Sequence, residues 1–154
     1  MMKRLSGDII HFFQEQGCVI VSTIGKRGSV HCSCKGIVKI DGNGYVYLLD
    51  LYKGKTYQNL KDNPHISLTA VNEHRFTGYC LKGKARIVSE KAMPAEIKNA
   101  WEDRIASRLT QRLLRNIREE KGHPRHPEAL LPKPKYMIVM RIDDVVDLSP
   151  AHLK

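Results

Sequence analysis

The sequence predicts a mainly β (α+β) fold, a small antiparallel barrel with flanking helices. Three observations predict it. Between residues 18 and 88, short β-branched runs are separated by turn residues, with connections too short for parallel crossovers. From about residue 94 to 121 the apolar period becomes four, which marks one long helix. At Tyr136 an apolar run returns, so that helix is an insertion before a last strand.

The elements follow in order. Leu5, Ile9, Phe12 and Phe13 recur at helical spacing, and Gly17 stands where a stop is expected, which predicts a helix over 5–16. Cys18 to Ile24 is β-branched and reads as the first strand, closed by a turn at Lys26-Arg27-Gly28. Ser29 to Ile40 reads as a second, more polar strand. Asp41-Gly-Asn-Gly44 tolerates positive φ and makes a hairpin into a third strand, Tyr45 to Leu49. A short helix starts near Lys55 and ends at Asn63-Pro64. Ile66 to Val71 alternates apolar with Ser/Thr, and a turn at 72–75 leads into a long strand, Phe76 to Val88, that Gly78 and Gly83 should bend. The long helix carries Ile97, Trp101, Ile105, Leu109, Leu113 and Ile117 on one face, and Gly122 should end it. A proline-rich loop (Pro124, Pro127, Pro132, Pro134), the strand Tyr136 to Ile142 and a polar-edged tail complete the chain. A chain of 154 residues is expected to form a single domain, 1–154, with a helical insertion at about 93–134.

The formal net charge of +10 points to anionic partners: nucleic acid, a phosphorylated cofactor or an acidic surface. No apolar run approaches the roughly 20 residues that span a bilayer, and Asp8 and His11 break the only candidate for a secretory core, so no membrane association and a cytoplasmic location are expected. Without export, the four cysteines are expected to be reduced. Cys32-Ser33-Cys34 lacks zinc spacing; in a strand its two cysteines share one face and read as small core hydrophobes, a redox or ligand role being the alternative. His123 and His126 lack further ligands, and no metal site is expected. On the long helix Arg104, Arg108, Arg112 and Arg115 form a stripe that reads either as a solvated face beside Glu102, Asp103, Glu119 and Glu120 or as an anion-binding wall. No aromatic interleaving or reading motif accompanies it, so nucleic acid is the weaker reading.

The stretch Tyr52-Lys-Gly-Lys-Thr-Tyr-Gln-Asn-Leu60 carries the most chemistry. Gly54-Lys55-Thr56 is not a nucleoside triphosphate loop: the earlier glycine of that motif falls on Leu49, and the helix is too short. A simpler phosphate site remains. A helix starting at Lys55 offers free N–H groups and its positive dipole end, with the Thr56 hydroxyl and the Lys55 ammonium beside them. Gly54 allows close approach, and Lys53 and Lys35 add positive potential.

The series of strands from Val19, the Asp-Gly hairpin, Lys55-Thr56 followed by Asn59-Leu60 and Asn63-Pro64, and the later Leu81-Lys-Gly-Lys-Ala85 resembles the FMN-binding split-barrel family related to pyridoxamine 5′-phosphate oxidase. The resemblance covers about residues 12–90 and the last strand. It implies a six-stranded antiparallel Greek-key split barrel, a homodimer and FMN at the dimer interface. It implies phosphate ligands at Lys55 and Thr56, with Asn59 and Lys53 adjoining. It implies a flavin ring against two adjacent strands, at Ser33, Cys34 and Lys35 and at Leu48, Leu49 and Asp50. The substrate-gripping Arg-x-His of the true oxidases is replaced by Arg141-Ile142-Asp143, and the sole tryptophan, Trp101, is in the inserted helix. The resemblance therefore implies an FMN-dependent oxidoreductase or flavin reductase acting on another small redox molecule, such as a nicotinamide. The alternative is a non-enzymatic module binding flavin, deazaflavin, haem (His31 or His74 as ligand) or nucleic acid.

Overall fold

The computed structural model describes residues 3–120, 122–124 and 133–154; the expected proline-rich loop lies partly outside them, with His126, Pro127 and Pro132. Helix α1 (Gly7–Gln14) starts at Ser6, whose hydroxyl accepts from the Ile9 N–H at 3.4 Å. Strands β1 (Val19–Ile24), β2 (Val30–Lys35), β3 (Ile37–Ile40) and β4 (Tyr45–Asp50) follow. Then come α2 (Lys55–Asp62), β5 (His65–Asn72), β6 (Thr77–Ser89), α3 (Ala95–Ile117) and β7 (Tyr136–Asp147). All pairings are antiparallel, and the sheet order is β2-β1-β5-β6-β7-β4-β3.

The sheet has seven strands, not the six expected. The predicted second strand, 29–40, breaks at Gly36 into β2 and β3, which occupy opposite edges of the sheet. Lys35 and Ile37 are one residue apart, and two residues of chain reach only about 7 Å. The sheet must therefore curl until its edges meet at Gly36, which is what makes it a split barrel. The corner is tight: a Cβ on Gly36 would lie 2.8 Å from the Arg104 guanidinium.

The concave face buries Val21, Val46, Leu48, Leu68, Leu81 and Ile138, closed off by Phe13 of α1 and Leu60 of α2. A second cluster lies on the convex side, where Ile97 and Trp101 of α3 cover Leu49, Met137 and Val139. This explains the unbroken apolar run in β7, whose two faces are both covered. Further along α3 the stripe leaves the barrel, and Leu113, Leu114 and Ile117 are exposed. Of the two expected bends in β6, the one at Gly83 is present: the β6–β7 register shifts between Lys82 and Gly83, leaving Asp143 of β7 as the extra residue, whereas the β5–β6 register runs through Gly78 without a shift.

α3 ends earlier than expected, and not at Gly122. Glu119 adopts φ 66°. The Glu120 N–H reaches the Arg115 carbonyl at 2.9 Å and the Glu119 N–H that of Asn116 at 3.1 Å, the paired bonds of a Schellman stop. A left-handed conformation costs a non-glycine residue about 1 kcal/mol, so Glu119→Gly is expected to raise stability by about that much, read as a higher thermal midpoint. A lower midpoint would show that the Glu119 side chain compensates.

Candidate cofactor site

The polar centre of the molecule lies where β2, the end of β4, α2 and the start of β7 converge. Asp50, the last residue of β4, is its hub. Lys35 Nζ and the Tyr136 hydroxyl both donate to Asp50 Oδ2 at 2.5 Å. Burial, and then the hydrogen bond to Asp50, push the Tyr136 phenol well above its ordinary range, so it is a neutral donor. Tyr57 of α2 packs edge-on against Tyr136 at 4.9 Å between ring centres, and Lys53 and Lys61 sit over the Tyr57 ring at 5.3 and 5.2 Å. Tyr136 and Tyr57 carry no signal in the sequence, because only the Asp50↔Tyr136 register of β4 and β7 brings the cluster together across 86 positions.

β2 and β4 were expected to be adjacent strands. They share no ladder: β2 pairs only with β1, and β4 pairs with β3 and β7. They face each other across the split instead, and the Lys35–Asp50 ion pair spans it. Lys35 is thus neutralised rather than a source of open positive potential. Leu48 points into the concave core and Leu49 into the cluster under α3, so these two present backbone, not side chain, at the split.

α2 begins at Gly54 with no capping side chain and no acidic residue in its first turn. Along the flank of α2 lies a groove of about 540 Å³ lined by Lys26, Ser29, Lys55, Gln58, Asn59, Lys61 and Asp62. A Cβ on Gly54 would meet nothing within 4 Å, so the backbone is open to a ligand. Thr56 and Asn59 are buried beneath this turn. The hydroxyls of Ser33 and Thr56 lie 3.0 Å apart, and Asn59 Nδ2 donates to Thr23 Oγ1 at 3.1 Å. Two hydroxyls hold two protons and their mutual bond uses one, so the Ser33–Thr56 pair retains a donor for a third group. The sequence-predicted residues therefore divide. Lys55, Thr56, Asn59 and Ser33 gather at the α2 start, Lys35 and Asp50 form the ion pair, Lys53 lies over Tyr57, and Cys34 points away.

The expectation of core cysteines is overturned: Cys32 and Cys34 are exposed. They do share a face, but cross-strand register sets which one. Val19 and Val21 face the core, and their partners are Lys35 and Ser33; Cys34 is opposite the exposed Ile20, and Cys32 is opposite Ser22. Three of the four arginines of the stripe differ from both readings, while Arg115 is exposed. Arg104 Nη2 donates to the Gly17 carbonyl at 2.7 Å, the Arg108 guanidinium packs over Gly17, and Arg112 Nη2 donates to the His123 carbonyl at 3.0 Å. These guanidiniums strap α3 to the backbone.

The family model described as pyridoxamine 5′-phosphate oxidase matches residues 6–133. The chain belongs to the pyridoxamine 5′-phosphate oxidase family. Among curated proteins, none matches the sequence. Solved structures of the same shape include HupZ from Group A Streptococcus, at 17% identity and TM-score 0.64 over 94% of each chain. A Clostridium acetobutylicum protein related to general stress protein 26 matches at 15% identity and TM-score 0.62, over 96% of this chain and 95% of that one. An F420 reductase matches at 16% identity and TM-score 0.51, over 84% and 88%. At such identities these likenesses concern the fold. Among the described residues, no helix is long and apolar enough to cross a membrane.

Proposed function

We propose that this member of the pyridoxamine 5′-phosphate oxidase family is a homodimeric FMN-binding flavoprotein, an oxidoreductase or flavin reductase that takes electrons from a small molecule such as a nicotinamide. The observation that carries the proposal is the uncapped start of α2, whose first residue, Lys55, borders a groove carrying three lysines against one aspartate. Lys55 supplies charge there, Gly54 supplies access, and the Ser33–Thr56 pair keeps one hydroxyl proton to donate. Asn59 orders the turn from below through Thr23. The Lys35–Asp50–Tyr136 cluster holds the two sides of the split at a fixed distance, so the backbone of Ser33 to Lys35 and of Leu48 to Asp50 forms a rigid wall for a ring. FMN, when bound, supplies the hydride chemistry; the chain binds it, orients it and excludes water. The exposed Leu113, Leu114 and Ile117 at the end of α3 favour a dimer, since an apolar turn of that kind is ordinarily covered.

The purified protein is expected to be yellow and to release FMN on denaturation; a colourless protein that ignores micromolar FMN would refute the reading. Within it, Lys55→Ala with Thr56→Ala should weaken FMN about 100-fold, two charge-assisted contacts of about 1.5 kcal/mol each. Riboflavin, which lacks the phosphate, should lose little. Equal losses for both ligands would remove the phosphate from α2.

A further inference from the structure

β1 and β2 place two sulfurs together on the convex face. Cys18 stands just before β1 and Cys34 is the second-last residue of β2, and their Sγ atoms are 3.9 Å apart. They are diagonal neighbours in the ladder, since Ile20 is the direct partner of Cys34 and Val19 that of Lys35. Diagonal neighbours are normally too far apart for short side chains; here both thiols lean together. Their backbones are held from below: Gly17 accepts from Arg104 at 2.7 Å, and the same guanidinium packs against Gly36. Both cysteines are exposed. The neighbouring Cys32 is engaged elsewhere, its Sγ 3.3 Å from Ser22 Oγ. Among the described residues no group of three or more His, Cys, Asp or Glu could hold a metal ion, so the chemistry open to this pair is between its two sulfurs.

We propose that Cys18 and Cys34 form a reversible dithiol–disulfide site, oxidised by a hydroperoxide. One thiolate attacks a peroxide oxygen, the O–O bond breaks, and a sulfenic acid forms while the departing hydroxide takes up the thiol's proton. The second sulfur attacks the first, the S–O bond breaks, the S–S bond forms, and the leaving hydroxide becomes water with the second thiol's proton. Two thiols lose two electrons and two protons, and one hydrogen peroxide becomes two waters. Burial and the neighbouring Cys18 sulfur hold the Cys34 thiol above its ordinary range. The product staples the sheet-edge strand β2 to the start of β1, beside the Gly36 corner. A dithiol reductant restores the open form. The two thiols lie on the face opposite the side chains of Ser33 and Lys35, and although the Cys34 backbone belongs to the wall given to the ring, the test reads thiols and crosslinks rather than flavin.

The test is thiol titration of the unfolded, quenched protein after brief exposure to hydrogen peroxide, with peptide mapping. Wild type should fall from four free thiols to two and lose two hydrogens in mass. Trypsin cuts at Lys26, Arg27 and Lys35, so the product should be a crosslink between the peptide carrying Cys18 and the peptide 28–35, which carries both Cys32 and Cys34, with the single variants assigning the sulfur. Cys32→Ser should form it equally well, while Cys18→Ser and Cys34→Ser should each abolish it; all three are changes on an exposed surface. Four persistent thiols would overturn the proposal. So would a crosslink through Cys32 or Cys80, a crosslink between chains, or separate oxidation of single cysteines to sulfinic acid.

Discussion

Asp50→Ala is expected to cost the fold on the order of 3–5 kcal/mol, the largest loss from any single side chain at the site. The side chains of Lys35 and Asp50 are 9% and 8% exposed, so removing the carboxylate strands a buried ammonium and leaves the Tyr136 hydroxyl without its acceptor. The loss should appear as a lower denaturant midpoint with an unchanged slope. The double change Lys35→Met with Asp50→Leu should recover the part due to the stranded ammonium, because an apolar pair replaces an ion pair at little cost, while the Tyr136 hydroxyl, still without its acceptor, keeps a residual cost of about 1 kcal/mol. A single variant within about 1 kcal/mol of wild type would mean that Lys35 escapes to water and that the ion pair does not hold the split. Since Asp50 joins β2, β4 and β7, its loss should also weaken any ligand that rests on the wall they form.

Gly83→Ala should be nearly as damaging for a different reason. A Cβ at Gly83 would lie 1.9 Å from the Arg141 carbonyl oxygen, an atom of the facing backbone that cannot swing aside. The clash falls where the β6–β7 ladder slips past Asp143, in the middle of the sheet. A cost of about 3 kcal/mol or more is expected, at the upper end for overpacking, because relief requires the ladder itself to open. Gly7→Ala is the control: nothing lies within 4 Å of its added Cβ, and alanine favours the first turn of α1. If chemical denaturation gave the two variants equal stability, the close approach of β6 and β7 would be refuted.

Much of the fold was legible in the sequence where local chemistry decides it. The helix before β1, the Asp41–Gly44 turn, the short helix at Lys55 and the bend near Gly83 all rest on residues that constrain their own backbone. Asp41 Oδ1, for instance, accepts from the N–H groups of Asn43 and Tyr45 at 3.0 and 3.1 Å, and Gly44 takes φ 92°. The run 29–40 misled because nothing in it looks like a turn; Gly36 is a break only because the two edges of the sheet must meet there. The site divided in the same way. The α2 start is a local feature, and its residues were picked out from a nine-residue stretch. The Asp50 hub joins residues 15 and 86 positions apart, and no local pattern announces it.

By itself the sequence determined where most strands and helices lie, that they form an antiparallel barrel with an inserted helix, and where an uncapped helix start stands. Those properties follow from φ preferences, side-chain period and chain stiffness, which act over a few residues. Only the tertiary structure decided that one strand becomes two, that Lys35 is neutralised by Asp50, that Cys18 meets Cys34 on the outside, and that Arg104 and Arg112 of α3 grip backbone. Each of these depends on register, and a slip of one residue along a strand sends every side chain on it to the other face.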